Sequence, residues 1–323
     1  MTLPSPRGEL SAAVYSALSG HRGPLPTADR ADPHGDDLAL ALHLLYELHY
    51  RGFPGVRAEL EWDLDLLRLR AGMERRLLDA LRSEVEGGTD VTGELDELSV
   101  EVVPGAGVSH FLRDHGQWSQ VQEFFIHRSI YHLKEGDPHA WVIPRLSGQA
   151  KAALVAVEYD EFGAGRADQA HSRLFADLLD AAGLSSGYLH YLDVVPAPAI
   201  ATVNLMSMFG LHRALRGALV GHFAAAEITT APSARRTVSA LRRLSAPQAC
   251  VRFYTEHIEA DAVHEQVMRH DVVGGLLSDE PDLAADLVFG VQATELLEGR
   301  LADWLLGSWQ GGRSSLRESL AAA

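Results

Sequence analysis

His257, Asp261 and His264 stand four and three residues apart in FYTEHIEADAVHEQV, residues 253–267. At about 100° per residue these spacings place the three side chains within roughly a third of a helix circumference. Two imidazoles and a carboxylate on one rigid stripe supply the nitrogen and oxygen donors that a transition-metal site uses. The competing reading is a solvated helix face that carries two histidines, and the spacing by itself does not decide between them.

A metal site in a helical protein is completed from facing helices. In VEYDEFGAGRADQAHSRLF (157–175), Asp168 lies three residues before His171 and Glu161 seven before Asp168, so one helix face can carry all three. In His222-Phe-Ala-Ala-Ala-Glu227 an acid follows an apolar run, which makes Glu227 either a buried ligand or a helix-end surface residue. Glu123, in VQEFFIHRSIYHLKE, is a further carboxylate, with an i,i+4 surface pairing to His127 as the alternative. With 44 acids and 16 histidines, roughly two acid-x-x-His pairs arise by chance. The informative feature is the order: acid-x-x-His, then a lone Glu, then His-x-x-x-acid-x-x-His, each on its own expected helix.

Those residues, EYDEFGAGRADQAHSRLF, Glu227 and HIEADAVH, resemble the haem-oxygenase-like di-iron oxidases and oxygenases, also described as iron-containing redox enzymes. The resemblance runs from about Gln122 to the C-terminus. It implies an all-α, haem-oxygenase-like helical bundle over 101–323, with residues 1–100 as an N-terminal helical extension packed on it. It implies Asp168 and His171 as first-helix ligands, Glu227 as the middle one, and His257, Asp261 and His264 as the last, with Glu161 auxiliary or bridging. Asp168 stands where a Glu is usual. The implied cofactor is Fe(II), two ions per chain, with O₂ as co-substrate and an external electron donor such as a reductase. The implied substrate is a small amino-acid- or fatty-acid-like molecule undergoing N-oxygenation, oxidative C–C cleavage or decarboxylation. A ferritin-like or haem-oxygenase-like iron-handling protein without an organic substrate is the alternative. A homodimer is compatible with either.

Composition narrows the setting. The chain has 323 residues, 46% of them hydrophobic and 22% charged, enough for a large core. A net charge of −16 argues against a nucleic-acid partner, although Arg235, Arg236, Arg242 and Arg243 cluster. Cys250 is the only cysteine, which excludes a disulfide framework and a thiolate cluster; between Ala249 and Val251 it reads as a packed thiol. No apolar run is long enough for a membrane span, and MTLPSPRGEL lacks a signal-peptide core, so a cytoplasmic protein is expected.

Hydrophobic periodicity predicts helices near 8–19, from 37, near 60–81, and at 107–115, 117–135, 147–182, 197–210, 211–229, 231–244, 248–270 and 280–308. Pro232 marks the start of the 231–244 segment, and GAG at 163–165 falls inside a helical stretch. Residues 84–98 read as a polar linker, and 99–103 as a short strand or irregular chain. Arg145, Lys151 and Arg166 are substrate-carboxylate candidates for which surface charge is the commoner role. Met206 and Met208 read as core first and as channel lining second. His190 and His222 read as hydrogen-bonded histidines, with a supporting place beside the metal as the alternative.

Overall fold

The computed structural model describes residues 3–21, 23–100 and 105–318, leaving aside the side chains of 259–262. Its helices are α1 Glu9–Leu18, α2 Asp36–Glu47, α3 Leu64–Glu84, α4 Val91–Leu98, α5 Val108–Asp114, α6 Trp118–His132, α7 Asp137–Ala140, α8 Gly148–Glu161, α9 His171–Ala181, α10 Ala197–Leu211, α11 Arg216–Arg243, α12 Gln248–Gln266, α13 Gly274–Asp279 and α14 Ala284–Gln310. A π-helical stretch, Val267–Val273, joins α12 to α13. Among the described residues there is no strand, and the chain is an all-α bundle. No helix among them is long and apolar enough to cross a membrane.

The bundle is built around α10. Of its 15 residues 12 are buried, polar Thr202, Asn204 and Ser207 included, so it carries no amphipathic stripe. The N-terminal portion is fastened to it. Asp36 Oδ1 accepts the N–H of Ala197 at 2.8 Å, capping an open helix start. Asn204 donates to the carbonyl of Ala39 at 2.8 Å and meets His43 Nδ1 at 3.2 Å. One contiguous apolar core runs from Leu10 through Leu42 and Ile200 to Leu301.

Three local readings need correcting. The expected 147–182 helix is two helices. Gly163 and Gly165 take φ of 72° and 79°, Ala164 a φ of 52°, and a Cβ at Gly163 would lie 2.4 Å from the Ala170 backbone nitrogen. The chain therefore leaves α8 through a left-handed turn that glycine permits. Conversely, α11 runs unbroken through Pro232. The hydroxyls of Thr229 and Thr230 bond back to Ala225 and Ala226 carbonyls in the preceding turn, so a missing N–H at one position does not end a helix this long and well packed. The polar 84–98 stretch holds α4, whose first turn is capped by Asp90 accepting from Gly93 N–H. Most of the expected 99–103 strand falls outside the described residues.

Helices α11 and α14 cross through paired glycines. A Cβ at Gly221 would lie 2.1 Å from the Leu287 carbonyl oxygen, and one at Gly290 would lie 2.1 Å from that of Ala218. Backbone cannot yield as a side chain can. Gly221→Ala and Gly290→Ala are each expected to cost about 3 kcal/mol or more, read as a fall in the urea midpoint.

Candidate metal centre

Two triplets of buried donors meet in the bundle interior. Glu135, His171 and His257 form one, and Glu161, Glu227 and His264 the other; within each, one donor atom per residue lies within 4.8 Å of the others. Glu161 Oε2 lies 2.9 Å from His171 Nδ1, so the triplets share an edge. The donors come from five places: Glu135 just past α6, Glu161 at the end of α8, His171 at the start of α9, Glu227 in α11, and both remaining histidines in α12.

The His257 ring is fixed in orientation. Its Nδ1 lies 2.8 Å from the Phe253 carbonyl, which can only accept, so that nitrogen carries the proton. The other nitrogen, Nε2, faces Glu135 Oε1 at 3.6 Å, the nitrogen through which a metal would be ligated. The ring packs on Phe253 and His171, with centroids 4.4 Å from each. On the other side of the pair, Glu135 accepts from His132 Nδ1 at 2.7 Å. Burial alone would raise the Glu135 pKa, but His132 and His257 hold it well below the usual carboxylate range.

His264 sits between two carboxylates, Nδ1 at 3.1 Å from Glu227 Oε2 and Nε2 at 3.2 Å from Asp160 Oδ2. Burial works against its charge, yet these acids push its pKa up to about 9. Glu227 is raised by burial despite that partner. Nearby Glu158 is raised well above normal by burial and by the charges of Glu161 and Glu227, and neither of its oxygens has a hydrogen-bond partner.

A cation answers these observations. Three buried carboxylates and three imidazoles converge, Glu135 Oε2 has no hydrogen-bond partner among the described residues, and Nε2 of His257 faces the cluster. Uncompensated buried charge is costly, and a metal ion removes the cost. Carboxylate and imidazole without thiolate suit iron.

Of the residues expected from sequence, Glu161, His171, Glu227, His257 and His264 are brought together. Asp261 is on the same helix between the two histidines, but its side chain lies outside the described residues. Asp168 is not brought in: it sits exposed on the turn after Gly165, accepting from the Gln169 side chain. Glu123 is elsewhere too, accepting from Trp309 Nε1 and from Ser315 N–H and Oγ, which ties down the C-terminal segment. Glu135 was not singled out in the sequence. Its signal was His132-x-x-Glu135, the reverse order of an acid-x-x-His pair, placed where Gly136 ends the helix.

The other sequence candidates fall away from the centre. Arg145 donates to the carbonyls of Gly210 and Leu211 and closes the end of α10. Cys250 is a buried thiol, pushed up to about 11 by burial, with Sγ 3.6 Å from the Leu178 carbonyl. His127 is buried and donates to Ser315 Oγ. Burial lowers its pKa to about 3, against about 6.5 when unfolded. The folded state thus declines a proton that the unfolded chain accepts, so this stability is full above pH 6.5 and is lost as pH falls toward 3. From pH 7.5 to 5.5 the wild type should lose about 1.4 kcal/mol more than His127→Phe, measured by urea unfolding.

A cavity of about 480 Å³ reaches the centre; Glu135, Glu161, Glu227 and His257 form one end of it, and Met206 and His222 also line it. Met206 thus reaches the cavity, whereas Met208 is core.

Comparison with known proteins places the chain in a family. The family described as iron-containing redox enzymes matches residues 122–299, a stretch holding every member of both triplets. A nitrosourea synthase from Streptomyces achromogenes subsp. streptozoticus is 25% identical over 238 residues. That alignment covers 71% of this chain and 50% of the synthase, so the chain spans about half the length of that relative. The match over more than half of its length places this protein: it is an oxidoreductase and belongs to the iron-containing redox enzyme family.

Proposed function

We propose that the protein is a non-haem di-iron oxygenase or oxidase that uses O₂ on a small organic substrate of amino-acid or fatty-acid type. The observation that carries this reading is the pair of buried triplets joined through Glu161 and His171. In it, Glu135, His171 and His257 would hold one Fe(II), and Glu161, Glu227 and His264 the other, with Asp261 kept in the set on its spacing alone. Bound iron would supply the redox chemistry: O₂, two electrons from an external donor and two protons give one oxygen atom to the substrate and one water.

The chain's own residues do the rest. The Phe253 carbonyl orients the His257 ring through Nδ1, and His132 orients Glu135. Burial and the charges of Glu161 and Glu227 favour the protonated form of Glu158 beside them. The cavity binds the substrate and keeps bulk water away from the reacting end. A nitrosourea carries a nitrogen–oxygen bond, so the likeness to nitrosourea synthase favours oxygen transfer to nitrogen over C–C cleavage or decarboxylation.

The test is anaerobic Fe(II) loading followed by metal analysis, then O₂ uptake with a chemical reductant and a panel of amino and fatty acids. Two irons per chain and substrate-dependent O₂ uptake are expected. O₂ uptake that ignores every added substrate would favour an iron-handling protein, and less than one iron per chain would sink both readings.

A further inference from the structure

A second cavity, of about 570 Å³, has none of the triplet residues in its wall. It lies between the stretch after α2 (Arg51, Phe53, Pro54) and the loop that joins α9 to α10 (Tyr188, His190, Asp193). That volume is ordinary for a small-molecule site. The loop is held in a costly form. Leu189 is buried with a φ of 54°, a left-handed conformation that a branched side chain rarely adopts and that gathers at functional sites.

The charges of this wall are unequal. Asp193 is provided for: its Oδ1 accepts the Ser5 N–H at 2.7 Å, and the Arg7 guanidinium binds the carbonyls of Leu192 and Asp193. Arg51 is not. Its guanidinium lies 4.3 Å from the centre of the Tyr188 ring and donates to the Leu133 carbonyl at 3.1 Å. Among the described residues no carboxylate pairs with it, although Asp137 feels its charge. A singly charged ligand with an apolar body answers this set. Its carboxylate would accept from the unused side of the Arg51 fork, its body would rest on Phe53 and Pro54, and a doubly charged anion would be repelled by Asp193.

The same wall is tied to the metal end. Arg51 holds the carbonyl of Leu133, and Tyr188 holds Glu47, the partner of buried Lys134. Leu133 and Lys134 directly precede Glu135. Arg51 is exposed, so a ligand that fixes it removes part of the entropy cost of ordering that turn. From this we infer that the cavity is an effector site for a small apolar carboxylate bound by Arg51, and that this ligand and Fe(II) at the Glu135 triplet strengthen each other's binding. The second half rests on Glu135 being an iron ligand; the first half does not.

The experiment is calorimetric titration of the metal-free full chain with benzoate and hexanoate, with benzyl alcohol and inorganic phosphate for comparison, repeated after anaerobic Fe(II) loading. At least one carboxylate should bind, and both comparison probes should be at least about tenfold weaker. Arg51→Gln should weaken that carboxylate by at least about tenfold. Pro54→Trp, which fills the cavity from its exposed rim and leaves Arg51 in place, should do the same. Binding should slow hydrogen exchange at the amides of 133–136 in the metal-free chain. Fe(II) should tighten the carboxylate about fivefold, and the carboxylate should tighten Fe(II) by the same factor. Failure of both carboxylates, preference for phosphate, or full affinity in both variants would overturn the site. Unchanged exchange with equal affinities in the two metal states would overturn the coupling. A chain that binds the carboxylate through Arg51 yet takes up no iron would keep the site and sink the ligand set, and an iron-loaded chain indifferent to both carboxylates would do the reverse.

Discussion

Alanine at His257 or at His264 should reduce bound Fe(II) from two ions per chain to one or none, with at least about a 100-fold loss of affinity at the affected position. The two failures differ in character. His257 has its ring fixed by Nδ1 donating to the Phe253 carbonyl, so His257→Ala removes a preoriented ligand and leaves Glu135 facing His171 across a gap. His264 lies between Glu227 and Asp160, and His264→Ala also strips Glu227 of its partner, adding instability in the iron-free protein. Glu135→Ala should match His257→Ala. Asp168→Ala is the control: its exposed carboxylate accepts from the Gln169 side chain, and iron content should not change. Metal analysis after anaerobic gel filtration reads all four. Loss of iron in Asp168→Ala, or retention of two irons in both histidine variants, would dismantle the proposed ligand set.

The second large effect lies outside the centre. Lys134, next to Glu135 in the chain, is fully buried with its ammonium 2.9 Å from Glu47 Oε2 and 4.1 Å from the centre of the Tyr50 ring. Glu47 ends α2 and also accepts from the Tyr188 hydroxyl at 2.5 Å. Removing one member of a buried pair leaves the other charged and desolvated, so Lys134→Met should cost about 3–5 kcal/mol, or about 5–10 °C of melting temperature. Because Lys134 anchors the turn that carries Glu135, iron affinity should fall as well. Glu47→Gln combined with Lys134→Met should recover much of the stability, since neither charge then remains buried. If Lys134→Met melts as the wild type does, the N-terminal portion has no part in setting the centre.

The α12 stripe was readable because an i, i+4, i+7 pattern is local: the helix itself brings His257 and His264 to one side. Glu161, His171 and Glu227 were readable because each sits on or at the edge of a strongly periodic segment. Asp168 was misplaced because the reading continued one helix through Gly163–Gly165, where the positive φ values turn the chain out and expose the acid. Glu135 was passed over because it follows the last turn of α6, where no periodicity marks a face; only the packing of His132, His171 and His257 around it shows what it does. Polar residues also concealed α4, whose two buried positions, Val91 and Leu95, are too few to announce a helix without their neighbours.

The π-helical stretch that follows His264 bears on how such a centre is inherited. A π turn holds one residue more than the α turn it replaces, so excising one residue from Val267–Val273 would restore an ordinary helix with the elements on either side close to their present orientation. Downstream, the contact with α8 is close: a Cβ at Gly275 would lie 3.1 Å from the backbone nitrogen of Ala150. In a helix that stayed α throughout, one added residue would turn everything beyond it by about 100°, and with the Gly275 seat held that rotation would fall on His257 and His264. The widened turn thus absorbs a residue that would otherwise swing the two histidines away from Glu161, and a single-codon deletion within Val267–Val273 should leave the centre in place.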